Sequence, residues 1–388
     1  MKSLPEDILI DILTRLPVKF ILRFNSVSKH WSALLTTPRF IAAHLRRSAA
    51  RSPMLIVRHG LALGHLKISV LDESFAILHR DVPVPVARYG DFSASVAGSC
   101  NGLLCVQYGT GKSAFWNPAT KQFAWVPVRD LGSPYSHVTR FVAIGERFGF
   151  GFSTRNEDYK LVKFASFYYK EWNSEDQVIW EDLEVKAVVF SWKRWSWREL
   201  KDARIPAAHY DHPVAANGHL YWLARRKGTR DFILAFDLAT DSFRTIDFPA
   251  DDPRPDGAGS LMRFDMDTRI AVFKSYLDYS TRYDDEDDLE AVVIGENGMD
   301  LSGETWEFMF RCGWFDGYDI HREDEGCFGV YWNSRVHVVK ARGRNMDNLY
   351  LFDPVASKAV RRFDGLMGRV YGVGSFVHSL VPVRGGNV

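Results

Sequence analysis

Three short stretches recur along this chain at one interval. Asn101–Val106 reads NGLLCV, Asn217–Leu223 reads NGHLYWL and Asn333–Val339 reads NSRVHVV. The steps from 101 to 217 and from 217 to 333 are each 116 residues. Every copy is a turn followed by an alternating apolar strand. A second stretch trails each of them: WNPATKQFAWVP (Trp116–Pro127), FDLATDSFRTIDFP (Phe236–Pro249) and FDPVASKAVRRF (Phe352–Phe363). These read as strand, polar turn, strand. Fainter copies fall about midway. DYKLVKF near Tyr159 and DTRIAVF near Arg269 follow the first pattern. SWKRWSWREL (Ser191–Leu200), SGETWEFMF (Ser302–Phe310) and LDESFAILH (Leu71–His79) follow the second. The unit of repetition is therefore half of 116, about 58 residues.

Units of that length with several strands each predict propeller blades with long loops. Residues 55 to 388 hold close to six such units; a seven-bladed ring and an irregular sandwich are the alternatives. Aromatic residues, 14% of the chain with 12 Trp and 27 Phe, suit β packing. The stretch FVHSLVPV (Phe376–Val383) is expected to pair with the first blade and so remove an exposed sheet edge. Glycine doublets of the kelch type are absent from the corresponding positions.

The first fifty residues follow a different period. Leu4-Pro5 opens a helix, with Glu6 and Asp7 complementing its positive end. Ile8, Leu9, Ile12, Leu13 and Leu16 recur at helical spacing, and Pro17 stops that helix. A second short helix carries Ile21, Leu22 and Phe24. A third, capped by Ser26 or Ser28, carries Trp31, Leu34 and Leu35. Pro38 starts a fourth, with Phe40, Ile41 and Leu45. Ile10, Val18 and Phe20 are apolar but lie off the main stripe. A bundle of roughly 45 residues buries little surface by itself. Its surplus apolar faces are covered either by a partner or by the rest of the same chain, and spacing alone favours neither.

Several function classes are disfavoured. Net charge is +1, so no global field points to nucleic acid or a membrane surface. No run of about 18 apolar residues predicts a membrane-spanning helix. The charges Glu6, Asp7, Asp11, Arg15, Lys19 and Arg23 interrupt any signal-peptide core of roughly 7–15 residues. The four cysteines, Cys100, Cys105, Cys312 and Cys327, are too few and too scattered for a disulfide framework. With no N-x-[ST] sequon, they lead us to expect the cytoplasm and/or the nucleus.

Fragments of chemical motifs read as structure. Gly111-Lys112-Ser113 lacks the earlier glycine and the following helix of a phosphate-binding loop, so a hairpin turn is expected. GFGF (Gly149–Phe152) lacks the third glycine of a dinucleotide fingerprint and reads as strand or bulge. Cys105 falls on a strand as a small hydrophobe. Cys312 and Cys327 flank His321 without forming a metal set. The acidic run Asp284–Asp288 reads as a solvated loop. KRWSW (Lys193–Trp197) reads as a turn with tryptophans inward and cations outward, and Arg225–Gly228 with Asp231 as an exposed loop. No catalytic residue, metal or cofactor is expected.

Two families are resembled. The stretch LPEDILIDILTRLPVKFILRFNSVSKHWSALLTTPRFIAAHL resembles an F-box, through its opening Leu-Pro, its central RLP and its later RF..VSK.W..L. From SCNGLLCV onward, FWNPATKQFAWVP, GFGFSTRNEDYKLVKF, VVFSWKRWSWREL and FDLATDSFRTIDFP resemble the F-box-associated domain of plant F-box proteins. That family includes the pollen S-locus proteins of self-incompatibility. The second resemblance weakens between Leu261 and Gly313, where YDDEDD is inserted and Thr305-Trp306 replaces a usual Ser-Trp. The implied fold is an α+β multidomain chain, with a helical F-box at 1–48 and an all-β propeller-like domain at 49–388. The implied function is that of a non-catalytic substrate receptor of an SCF-type ubiquitin ligase. In that role the F-box holds a Skp-type adaptor, and through it a cullin, while the β domain holds an unidentified target. By position, the adaptor-facing residues would be Leu4, Pro5, Ile8, Ile12, Leu13, Leu16, Pro17, Ile21, Phe24, Val27 and Trp31. Some of these must also form the motif's own core, with Leu13 and Trp31 the residues expected to be shared. The rivals are a non-ligase interaction module and a carbohydrate-binding or hydrolytic propeller.

Overall fold

The computed structural model describes the chain at residues 5–51, 54–60, 66–72, 76–85, 94–109, 111–131, 142–172, 178–201, 203–206, 208–210, 213–216, 218–225, 232–247, 260–263, 270–275, 289–294, 306–312, 331–332, 336–341, 348–353, 358–363 and 369–383. Four helices come first: α1 (Glu6–Leu13), α2 (Val18–Phe24), α3 (Lys29–Leu35) and α4 (Pro38–Arg51). Pro5 and Pro17 cap α1 and α2 in the extended conformation, with ψ of 140° and 148°. Each lends its carbonyl to the first helical N–H groups, Ile8 and Leu9 in α1 and Phe20 and Ile21 in α2. Helix α1 ends at Leu13, short of Pro17. A proline pushes the residue before it off helical geometry. The N–H groups of Arg15 and Leu16 instead turn to carbonyls three residues back, at 3.1 and 3.0 Å. Ser28 is the cap of α3, its Oγ accepting from the Trp31 N–H at 3.2 Å.

Six antiparallel sheets follow among the described residues. The first joins β1 (Met54–Gly60), β2 (Lys67–Leu71) and β3 (Ile77–Pro83); the second, β4 (Ala94–Cys100), β5 (Leu103–Tyr108), β6 (Ser113–Asn117) and β7 (Gln122–Trp125). The third has β8 (Val142–Ser153), β9 (Asp158–Trp172), β10 (Val178–Ser191) and β11 (Ser196–Glu199). The fourth has β12 (His209–Tyr210), β13 (Val214–Ala216), β14 (His219–Arg225), β15 (Phe232–Asp237) and β16 (Ser242–Asp247). The fifth has β17 (Ser260–Arg263), β18 (Ile270–Ser275), β19 (Leu289–Ile294) and β20 (Trp306–Cys312). The sixth has β21 (Tyr331–Trp332), β22 (Val336–Ala341), β23 (Asn348–Asp353) and β24 (Lys358–Phe363). The final strand, β25 (Arg369–Phe376), leaves this order and pairs with β1 in the first sheet. The β region is thus propeller-like, one sheet per repeat. The closing strand precedes the stretch expected for it: only Phe376 of FVHSLVPV belongs to β25.

The repeated sequences now have places. NGLLCV, NGHLYWL and NSRVHVV supply β5, β14 and β22, with DYKLVKF and DTRIAVF supplying the corresponding β9 and β18. Strand β5 is buried on both faces, which is why Leu103 to Val106 form an unbroken apolar run. The polar turns share one geometry. Asn117, Ser153, Ser191 and Asp237 each end a strand four residues before a residue of positive φ: Lys121 (60°), Glu157 (49°), Trp195 (52°) and Asp241 (58°). The first residue's side chain accepts turn N–H groups: Asn117 from Ala119 and Thr120, Ser153 from Asn156, Ser191 from Arg194, Asp237 from Ala239 and Thr240. These short polar side chains mimic backbone turns. Burial would raise the Asp237 carboxyl, but the bonds from Ala239 and Thr240 outweigh it and hold it below the usual carboxylate range.

By contacts the chain forms two compact units, Met1–Val128 with Tyr371–Val388, and Arg129–Val370. In the first, Ile56, Ile68, Val70, Leu104, Val106, Trp116 and Phe376 fill the space between sheets one and two. In the second, Val162, Phe164, Val189, Leu220, Trp222, Leu234 and Phe236 do the same for sheets three and four. The GFGF stretch lies in β8 and faces sheet four. A Cβ on Gly149 would come within 2.6 Å of Trp222 and 2.8 Å of Leu220. Gly149→Ala should therefore cost about 1–3 kcal/mol through overpacking, read as a lowered urea midpoint. An unchanged midpoint would show that β8 has room to spare.

In the first unit, burial, and secondarily His79, lowers the His378 imidazole from 6.5 to about 4. The two rings meet edge-on at 5.3 Å. The folded chain therefore favours the neutral ring. That contribution is intact above 6.5 and is lost as pH falls from 6.5 toward about 4. His378→Gln should flatten the fall in unfolding midpoint over this range, and parallel wild-type and mutant profiles would exclude the residue as a source.

Candidate functional site

The four helices sort the expected docking residues into two populations. Leu13 and Ile21 are 2% and 1% exposed, closed inside a core with Val18, Leu34, Leu35 and Phe40. Leu16, Phe24 and Trp31 pack around that core and remain half-buried. The Phe24 and Trp31 rings meet edge-on at 5.3 Å. Pro5 and Pro17 are exposed at their helix starts. Ile8, Ile12 and Val27 are 49%, 45% and 62% exposed. Leu4 lies outside the described residues. Ile8 and Ile12 are four apart on α1 and so share a face. Phe20 and Leu22 of α2 are also exposed. Phe20 lay off the stripe seen in the sequence; Arg23 lies over its ring at 6.0 Å. Val18, off the stripe as well, turns inward because α2 starts a new helix direction after Pro17.

Helix α4 braces this arrangement. The Asp11 carboxylate accepts from Arg47 at 2.7 Å and from Arg15 at 2.6 Å, and these bonds hold its pKa below the usual range. His44, buried, donates from Nε2 to the Leu16 carbonyl at 3.0 Å, fixing the turn that leads to Pro17.

The other motifs are structural. Gly111, at φ 75°, makes the β5–β6 turn, its N–H donating to the Tyr108 carbonyl at 2.9 Å. The Cys105 thiol is pushed well above its ordinary range by burial, the reverse of a reactive thiol. Lys193 and Arg194 are exposed, while Trp192 is buried and Trp195 and Trp197 are half-buried around Phe190. Among the described residues no three His, Cys, Asp or Glu side chains form a metal-binding group, and no helix is long and apolar enough to cross a membrane. Asp284–Asp288, His321, Cys327, Arg226–Gly228 and Asp231 lie outside the described residues.

A family model for the F-box associated beta propeller domain matches residues 65–286, and one for the F-box domain matches residues 1–42. The chain belongs to the F-box-associated propeller family. The F-box protein CPR1 of Arabidopsis thaliana is 32% identical over 266 residues, 64% of this chain and 61% of that protein. A second Arabidopsis thaliana F-box protein, At4g22390, is 28% identical over 72% of this chain and 73% of its own length. Among solved structures, TolB from Acinetobacter baumannii aligns at TM-score 0.46 and 9% identity, over 90% of this chain and 73% of its own. The F-box match covers α1 to α3 and the start of α4, and so includes the exposed apolar residues of α1, α2 and the α2–α3 turn.

Core and face in this F-box should separate by mutation. Leu13→Ala should cost about 2–5 kcal/mol, as buried Leu truncations do. Ile12→Glu, at an exposed position, should leave the unfolding free energy within the roughly ±0.5 kcal/mol of ordinary surface changes. Comparable losses in both variants would contradict the division.

Proposed function

We propose that this F-box-associated chain is the substrate receptor of an SCF-type ubiquitin ligase. Residues 1–48 dock a Skp-type adaptor, which connects to a cullin. Residues 49–388 carry the target, and the receptor has no catalytic site of its own. The observation that supports this most is the apolar exposure of the F-box. Ile8 and Ile12 on α1, Pro5 at its cap and Val27 in the α2–α3 turn are left open, while the opposite side of the bundle is already closed. A soluble bundle gains nothing from such residues unless a partner covers them. Each aliphatic side chain covered at an interface is worth ~1.5–3 kcal/mol, so three or four suffice to anchor a contact. Leu13, Ile21, Phe24 and Trp31 act beneath that face and hold its shape; Leu16 and Pro17 set the α1–α2 turn.

Catalysis then comes from proximity. The receptor raises the local concentration of a target lysine near the charged conjugating enzyme, and the gain is set by geometry rather than by chemistry in this chain.

The test is a titration of the full chain with a Skp-type adaptor. Ile12→Glu combined with Val27→Glu should weaken binding by at least about tenfold per substitution, with unchanged circular dichroism and thermal midpoint. Retained affinity in that folded double variant would refute the docking assignment.

A further inference from the structure

We infer that residues Val377–Val383 form a strap that makes the docking helices conditional on the C-terminal part of the β domain. Leu380 is 8% exposed and sits in the same core as Leu13, Val18, Ile21, Leu34, Leu35 and Phe40, where Ala119 of the β6–β7 turn also touches. The helical core is therefore incomplete without a side chain more than 300 residues downstream.

The strap is held by designed contacts rather than by loose packing. Asn117, fully buried, donates from Nδ2 to the Ser379 carbonyl at 3.0 Å and to the Val381 carbonyl at 2.9 Å. Val381 donates its N–H to Ser379 Oγ at 3.0 Å, and Val383 donates its N–H to Gln122 Oε1 at 3.0 Å. Gly102, at φ 78°, lets the strap approach closely: a Cβ there would fall 2.5 Å from the Val377 carbonyl and 2.4 Å from Ser379 Cβ. A bundle of about 45 residues is marginal without outside support. Synthesis produces the helices first and the strap after the strands of all six sheets. The docking helices therefore gain full protection only when the chain has been made as far as the strap and β25 has paired with β1. Adaptor binding is thereby restricted to receptors whose β domain has been completed. This last consequence rests on the docking function proposed above; the strap itself does not.

Hydrogen exchange on the full chain, with a parallel adaptor titration, tests both. Asn117→Asp keeps the turn-capping oxygen but removes both clasp donors, and Leu380→Asp removes the apolar anchor. Both should accelerate exchange in α1–α3 by about tenfold or more while leaving β9 and β10 unchanged, and both should lose adaptor affinity by a similar factor. Pro382→Ser, at an exposed strap position, should do neither. Unchanged helix protection in both variants, or equal acceleration in Pro382→Ser, overturns the strap. Accelerated exchange with undiminished adaptor affinity overturns the conditional docking. A wild-type chain that ignores the adaptor, with the variants still losing protection, refutes the docking assignment and leaves the strap standing.

Discussion

The side chain of Asn117 uses both of its ends. Its Oδ1 accepts the N–H groups of Ala119 and Thr120 and so shapes the β6–β7 turn. Its Nδ2 spends both hydrogens on the carbonyls of Ser379 and Val381. The turn in turn presents Ala119 to the helical core, and the strap presents Leu380 to it. A single amide thus ties together the second sheet, the helices and a segment 262 residues away. The equivalent positions in the next two sheets are Ser191 and Asp237, and Ser153 caps the other hairpin turn of the third sheet in the same way. Those residues share the acceptor that a turn needs and lack a pair of donors. An aspartate at 117 would set a buried carboxylate against two carbonyl oxygens, a costly arrangement without compensating donors.

The periodicity of the chain was legible because turns and strands are local. Asn, Asp or Ser at a strand end, four residues before a left-handed residue, recurs in the sequence as it recurs in space. Strand order within each sheet follows chain order, with β12 and β13 sharing the partner β14, and needs no long-range information except at β25. There the sequence pointed to FVHSLVPV, since that run is apolar. Its apolar residues serve a different purpose: Leu380 enters the helical core, and the glycine-containing RVYGVGSF just before it forms the strand. Period alone does not separate a strand from an extended segment buried by helices. GFGF was likewise readable as strand but not as a packing requirement, because Trp222 and Leu220 lie some seventy residues on.

The helices show the same limit in another form. Every residue expected to face the adaptor is an F-box position, yet the free chain closes Leu13 and Ile21 and opens Ile8, Ile12 and Val27. Spacing along α1 could not divide them, since Leu9, Ile12, Leu13 and Leu16 read as one stripe. The division depends on where α2 goes after Pro17. That direction is set by the tightened turn at Arg15 and Leu16 and by His44 holding the Leu16 carbonyl.

The clasp also explains why apolar packing alone would not serve the strap. Leu380 gains by burial in several registers, because hydrophobic contact has no direction. Hydrogen bonds do have direction. Asn117 reads carbonyls two residues apart, which in an extended chain point to the same side. A slip of one residue would turn those carbonyls away and rotate Leu380 out of the core at the same time. It would also bring a different side chain against Gly102, where the structure leaves room only for backbone and Ser379. Three weak selections, of donor, of apolar anchor and of close approach, thus agree on one register. That agreement gives a short segment without secondary structure a defined place between helices and sheet.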